Sequence, residues 1–134
     1  MTESKSNNLE PNVLIADDHA VIRNMVRAIL KGIGIENVAT AENGSTALQR
    51  ILEGDIDFVI CDWNMPVMSG IDVLRRVRAD ERFAKLPFLM LTAEAYRENV
   101  VEAVSLGVSD YVSKPFTAEV LSEKVMKLLN MEEG

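Results

Sequence analysis

Residues 58–66 read Phe-Val-Ile-Cys-Asp-Trp-Asn-Met-Pro (FVICDWNMP), four apolar residues that run straight into a carboxylate and break at a proline. An unbroken apolar run, rather than an alternating one, marks a strand covered on both faces, as in a parallel sheet. Such a strand has no wet face on which to carry a charge, so the acid at position 62 must sit at its end.

The pattern recurs outward from this stretch. VLIA (13–16) and FLML (88–91) are likewise unbroken, and VATA (38–41) and DYVS (110–113) complete a set of five short strands. Between them lie amphipathic stripes: Val21, Ile22, Met25, Val26, Ile29, Leu30 and Ile33; then Ala47, Leu48, Ile51 and Leu52; then Ile71, Leu74 and Val77. Val100, Val101 and Val104 supply a fourth, and Val120, Leu121, Val125, Leu128 and Leu129 a fifth. Glycines and turn residues punctuate them: Gly32 and Gly34 close the first helix, Asn43-Gly44-Ser45 opens the second, Gly70 precedes the third and Gly107 ends the fourth. Pro87 bars helix before the fourth strand.

Five strand-helix units imply an α/β fold, a doubly wound five-stranded parallel sheet with helices on both faces. Ligands of such sheets bind beyond the carboxyl ends of the strands, where strand order reverses. Asp17 and Asp18 follow the first strand, Asp62 the third, Thr92 the fourth and Lys114 the fifth. In the flavodoxin-like order 2-1-3-4-5, which the pattern itself does not dictate, strands one and three are neighbours. Asp17, Asp18 and Asp62 then converge in one crevice.

Composition bounds what this rim can serve. With 134 residues the chain has room for one domain and a real core. A net charge of -7 disfavours binding to a nucleic-acid backbone. The single cysteine, Cys61, lies in an apolar run and fits a buried side chain in a reducing, cytoplasmic setting. The polar opening MTESKSNNLEPN lacks a signal peptide's apolar core, and no apolar run is long enough to span a bilayer. Residues 1–11 are expected to form a flexible tail and residues 12–131 the domain.

Three converging carboxylates repel unless a cation joins them, and Mg²⁺ suits oxygen ligands where no Cys or His cluster exists. A lysine and a threonine hydroxyl beside such a centre would stabilise a phosphoryl group, and a carboxylate between them could accept it as an acyl phosphate. Each residue also has a plainer reading. Asp17 and Asp18 precede a helix and serve equally well as caps. Asp62 alone fits a turn, Thr92 an N-cap and Lys114 a solvated charge. Five such coincidences on one rim weigh for the phosphoryl reading. His19 reads as an exposed first-turn residue without partners at ligand spacing, and Trp63, Met65 and Met68 as loop cover.

Asp17-Asp18, DWNMPVMSG from Asp62, LTAEA around Thr92 and YVSKPFT around Lys114 together resemble the receiver domain of bacterial two-component response regulators, over about Val13 to Leu129. Among receivers, the motifs are most similar to those of the stand-alone chemotaxis members. The resemblance implies that Asp62 is the phosphoacceptor for a CheA-like sensor histidine kinase. It implies that Asp18, Asp62 and the Asn64 carbonyl bind Mg²⁺ directly, with Asp17 acting largely through water. Lys114 would pair with the phosphoryl group, with a cis bond to Pro115. Thr92 and Tyr111 would switch the face made by helix four, strand five and helix five for a downstream target such as the flagellar motor switch. Asn64 and Glu94 would tune the phosphate lifetime, with a phosphatase as a further partner. Three positions depart from the pattern: Ser69, where an Asp often precedes the loop glycine; His19, where an aromatic residue is common; and Tyr96-Arg97, where paired lysines are common.

Two other functions are compatible with this chemistry. A phosphate shuttle or sink would pass phosphoryl groups on without a structural output. A Mg²⁺-dependent aspartyl-phosphate phosphohydrolase would turn over an external substrate. It commonly uses an acid two residues after the nucleophile, where this chain has Asn64. The expectation is therefore a switch and not an enzyme.

Overall fold

The structure is a computed structural model, and it describes residues 10–93 and 97–133, with the side chains of 97–99 and 131–133 excluded. Five strands form one sheet: β1 (Val13–Ala16), β2 (Val38–Ala41), β3 (Phe58–Asp62), β4 (Phe88–Thr92) and β5 (Asp110–Ser113). Its order is β2-β1-β3-β4-β5 and every pair is parallel. Helices α1 (Ala20–Gly32), α2 (Gly44–Leu52), α3 (Gly70–Arg78), α4 (Arg97–Ser105) and α5 (Ala118–Glu133) follow the strands in turn, with a short 3₁₀ turn at Glu81–Phe83. The flavodoxin-like order assumed for the doubly wound sheet is the one observed.

Alternate strand residues feed two cores. Leu14, Ala16, Val59, Cys61, Phe88 and Met90 pack with Ala47, Leu48 and Ile51 of α2, Val73, Leu74 and Val77 of α3 and Ala103 of α4. Val13, Ile15, Phe58, Ile60, Leu89 and Leu91 pack with Val26 and Leu30 of α1 and Leu121, Val125 and Leu128 of α5. The period-2 geometry of a strand sends successive side chains to opposite faces, so an unbroken apolar run supplies both cores at once.

The helical stripes are narrower than their apolar residues suggest. Val21 (71 % exposed), Val101 (60 %) and Val104 (61 %) face solvent, and Met25, Leu52 and Val120 are also exposed. A helix laid on a sheet buries only the arc that faces it, so residues at the edges of a wide stripe stay outside. Local chemistry closes the helices as the sequence suggests. The Asn43 side chain accepts from the Thr46 N–H at the start of α2, and Ser69 Oγ accepts from the Asp72 N–H at the start of α3.

Two of the strands reach one residue beyond their apolar runs, and those residues are Asp62 and Thr92. The ladder even outlasts the strands: Asp17 N–H donates to the Ala41 carbonyl, Trp63 N–H to Leu91 and Lys114 N–H to Thr92. Each chemically capable side chain therefore starts from backbone that is still paired to the neighbouring strand.

Candidate functional site

Asp17 emerges from β1 fully buried, and Asp62 ends β3 with 4 % of its surface exposed. Because β1 and β3 are neighbours, both carboxylates open into the same crevice. The Lys114 ammonium, carried in just past β5, lies 2.9 Å from Asp62 Oδ1 and 3.1 Å from Asp17 Oδ2. Asp18 stands at the mouth with its side chain one-third exposed. Ligand atoms of Asp17, Asp18, His19 and Asp62 all fall within 4.8 Å of one another. Thr92 is buried at the end of β4, one residue past the Leu91 that pairs with Asp62.

Burial pushes the Asp62 carboxyl above the usual carboxylate range; the Lys114 hydrogen bond opposes this, and the negative charges of Asp17 and Asp18 reinforce it. Lys114 shows the complementary balance. Burial would lower its pKa, but the bonds and charges of Asp62 and Asp17 outweigh that and raise it, so the ammonium is fixed in its charged form. When ionised, three carboxylates face one ammonium, and the two unbalanced charges match those of one divalent cation. These are hard oxygen donors of the kind Mg²⁺ takes, so the residues present fit that ion.

The loop after Asp62 is packed tightly against the site. Gly70 N–H donates to the Trp63 carbonyl, and a Cβ at Gly70 would lie 2.2 Å from the Asp62 carbonyl oxygen. A Cβ at Gly44 would meet the Met68 carbonyl oxygen at 1.9 Å. Both glycines thus let backbone approach backbone where no side chain fits. Trp63, Met65 and Met68 are partly buried against the core beneath this loop.

Of the residues singled out from the sequence, Asp17, Asp18, Asp62 and Lys114 come together directly, with Thr92 adjacent on β4. Asn64 is exposed in the loop that follows. Tyr111 lies along β5, partly buried, with the Lys124 ammonium 5.6 Å from its ring centre. The Lys114-Pro115 bond is cis. Glu94 and Tyr96 lie outside the described residues. His19 is exposed as expected, its side chain 66 % open to solvent, but it does not lack partners. It occupies the N-cap position before α1, and its Nδ1 stands 3.2 Å from Asp17 Oδ1 and 3.2 Å from Asp18 Oδ1. Sequence spacing missed this because the chain turns at Asp17-Asp18 and folds the ring back over them. Arg23 was also missed: its guanidinium donates to the Asp17 carbonyl at 2.7 Å and braces that turn. An arginine one turn into the helix after an acidic pair is the only signal that could have found it.

Residues 13–126 match the response regulator receiver domain family. The chain belongs to that family. The chemotaxis protein CheY of Pseudomonas aeruginosa is 49 % identical to it over 122 residues, 91 % of this chain and 98 % of that one. CheY-3 of Vibrio cholerae is 48 % identical over 121 residues, 90 % of this chain and 93 % of its own. Among solved structures, Vibrio cholerae CheY4 superposes with a TM-score of 0.82 at 35 % identity, covering 89 % of this receiver and 98 % of that chain. The receiver domain of a sensor histidine kinase from Pseudomonas aeruginosa, described with a magnesium ion coordinated in its active-site cleft, superposes with a TM-score of 0.81 at 25 % identity, covering 90 % and 98 %. Among the described residues no helix is long and apolar enough to cross a membrane.

Proposed function

We propose that this receiver is a single-domain chemotaxis response regulator whose Asp62 accepts a phosphoryl group from the histidine of a sensor kinase. One observation carries the reading: the Lys114 ammonium is shared by Asp62 and Asp17 at the carboxyl ends of neighbouring strands, with Asp18 completing an excess of negative charge. The similarity to CheY proteins along nearly the whole chain supports the chemotaxis setting, with the flagellar motor switch as the kind of target it would address.

A carboxylate oxygen of Asp62 attacks phosphorus in line with the departing imidazole; the N–P bond breaks and the imidazole leaves with its electron pair. Lys114 then exchanges part of its pairing with Asp62 for the phosphoryl oxygens, and the Thr92 hydroxyl supplies a hydrogen bond to the same group. Mg²⁺, held by Asp18, Asp62 and the Asn64 carbonyl with Asp17 behind them, would neutralise charge on the phosphoryl oxygens. Asn64 and Glu94, at the positions where receivers tune hydrolysis of the acyl phosphate, set its lifetime. Movement of Thr92 towards the phosphoryl group lets Tyr111 turn inward, biasing the α4-β5-α5 face between two packings that a partner can distinguish. The receiver domain spans residues 12–131.

Incubation with Mg²⁺ and acetyl phosphate tests the assignment. Wild type should label stoichiometrically and Asp62→Asn should not; equal labelling of the two removes Asp62 from its role. Pull-downs with and without phosphorylation test the output, since a pure phosphate sink would show no phosphorylation-enhanced binding to a non-kinase protein.

A further inference from the structure

We propose that His19 is an additional ligand of the carboxylate cleft, and that its imidazole shifts the site's preference from Mg²⁺ towards later first-row divalent ions such as Ni²⁺ and Co²⁺. This rests on the reading of the cleft as a divalent-cation site. His19 Nδ1 lies 3.2 Å from an oxygen of Asp17 and 3.2 Å from an oxygen of Asp18. Adjacent ligands of an octahedral ion with bonds of about 2.1 Å stand about 3.0 Å apart, so Nδ1 is spaced from the Asp18 oxygen as a neighbouring ligand would be. Asp62 falls in the same group.

The surrounding contacts favour this use of the ring. Lys114 holds the Asp17 Oδ2 atom, and Oδ1 faces His19, within hydrogen-bond distance of Nδ1. His19 sits at the N-cap position without a side-chain hydrogen bond to the helix, so the ring is not engaged in capping. Its backbone N–H donates to Asp17 Oδ1 at 2.8 Å, and that bond fixes the residue beside the carboxylates whatever its side chain does.

Imidazole discriminates between metals in a way that carboxylates do not. Mg²⁺ takes oxygen ligands and parts reluctantly with water, whereas Co²⁺, Ni²⁺ and Zn²⁺ gain strongly from a neutral ring nitrogen. With an ion bound, the ring proton resides on Nε2 and the Nδ1 lone pair faces the metal.

Trp63 adjoins Asp62 and is the only tryptophan, so its emission reports on the cleft. Wild type and His19→Ala are titrated with Mg²⁺ and, separately, with Ni²⁺. The ratio of Ni²⁺ to Mg²⁺ affinity should fall by about tenfold or more in the variant, in keeping with the loss of one nitrogen ligand. An unchanged ratio in a wild type that responds to Mg²⁺ overturns this proposal and leaves the cation reading intact. A wild type that responds to neither ion overturns both. Pulsed electron paramagnetic resonance on the Mn²⁺-loaded protein gives a second readout. His19 is the only histidine, so an imidazole-nitrogen coupling can come from no other residue. It should be present in wild type and lost in His19→Ala; its absence from wild type overturns the proposal.

Discussion

The two ends of the sheet use the same residue types to opposite purpose. At the amino ends of the strands, acids and polar groups are tied off in small sets. Asp57 accepts from the Asn12 N–H, the Asn12 side chain donates to the Asp55 carbonyl, and Arg50 pairs with both Asp55 and Glu53. Those charged side chains are at least one-third exposed, so water shares the cost of each. At the carboxyl ends, two acids are buried and share one lysine, with a third at the mouth. Each rim sets three acids against one base, but the first excess is spread over exposed side chains that water screens, whereas the second is concentrated on two buried acids. On the proposed function, that buried excess is what a divalent ion would balance.

Paired substitutions across the two rims test this contrast most sharply. Asp62→Asn should reduce acetyl-phosphate labelling by roughly 100-fold or more, because the nucleophile itself is gone. Asp57→Asn on the opposite rim should label like wild type. Loss of labelling in both would mean that the rims are not functionally distinct.

Glycines give the next contrast. Gly70→Ala forces a Cβ against the Asp62 carbonyl and should cost about 2 kcal/mol in urea unfolding, the scale of overpacking strain. Gly32→Ala, where a Cβ meets nothing within 4 Å, should be neutral or stabilising by about 0.5 kcal/mol. If Gly70→Ala proves neutral, the loop over the acceptor is looser than its contacts indicate.

Titration offers a smaller and more diagnostic effect. The folded pKa of Asp62 lies above the ordinary carboxylate value, so the folded state binds its proton more tightly than the unfolded chain does. Stability attributable to Asp62 is therefore present at acid pH and lost as pH rises from the ordinary value through the raised one. Asp62→Asn should gain on wild type across that window, and millimolar Mg²⁺ should narrow the gap at neutral pH. Parallel pH dependences for the two proteins would contradict the assigned shift. The smallest effect should come from Arg50→Ala, which removes exposed ion pairs and should change stability by about 0.5 kcal/mol with unaltered labelling.

Much of this was legible in the sequence. Strand β1 falls on the run read for it, because a strand buried on both faces has few alternatives to an unbroken apolar segment, while the edge strands β2 and β5 match VATA and DYVS although they are only partly buried. The runs ended one residue early at Asp62 and Thr92, since hydropathy registers the side chain while the ladder follows the backbone. Among the described strand residues, those two are the buried polar side chains. The helical stripes were read too wide at Val21, Met25, Leu52, Val101, Val104 and Val120. Composition cannot tell an edge that is covered from one that is open to water. His19 is exposed as read, and its carboxylate neighbours were missed for a different reason: ligand spacing along a chain assumes a helix or a strand, and Asp17-Asp18-His19 is neither.

The backbone bonds that outlast the strands carry a further meaning. Asp17, Trp63 and Lys114 are each hung from a neighbouring strand by their own amides, so the crevice has no hinge of its own on the sheet side. On the proposed function, the backbone anchors of the acceptor site keep their places while the sheet persists and are lost once the sheet lets go. Competence to receive a phosphoryl group and possession of a folded sheet should therefore disappear at the same point of any unfolding transition, which makes the signalling reaction itself a census of intact molecules.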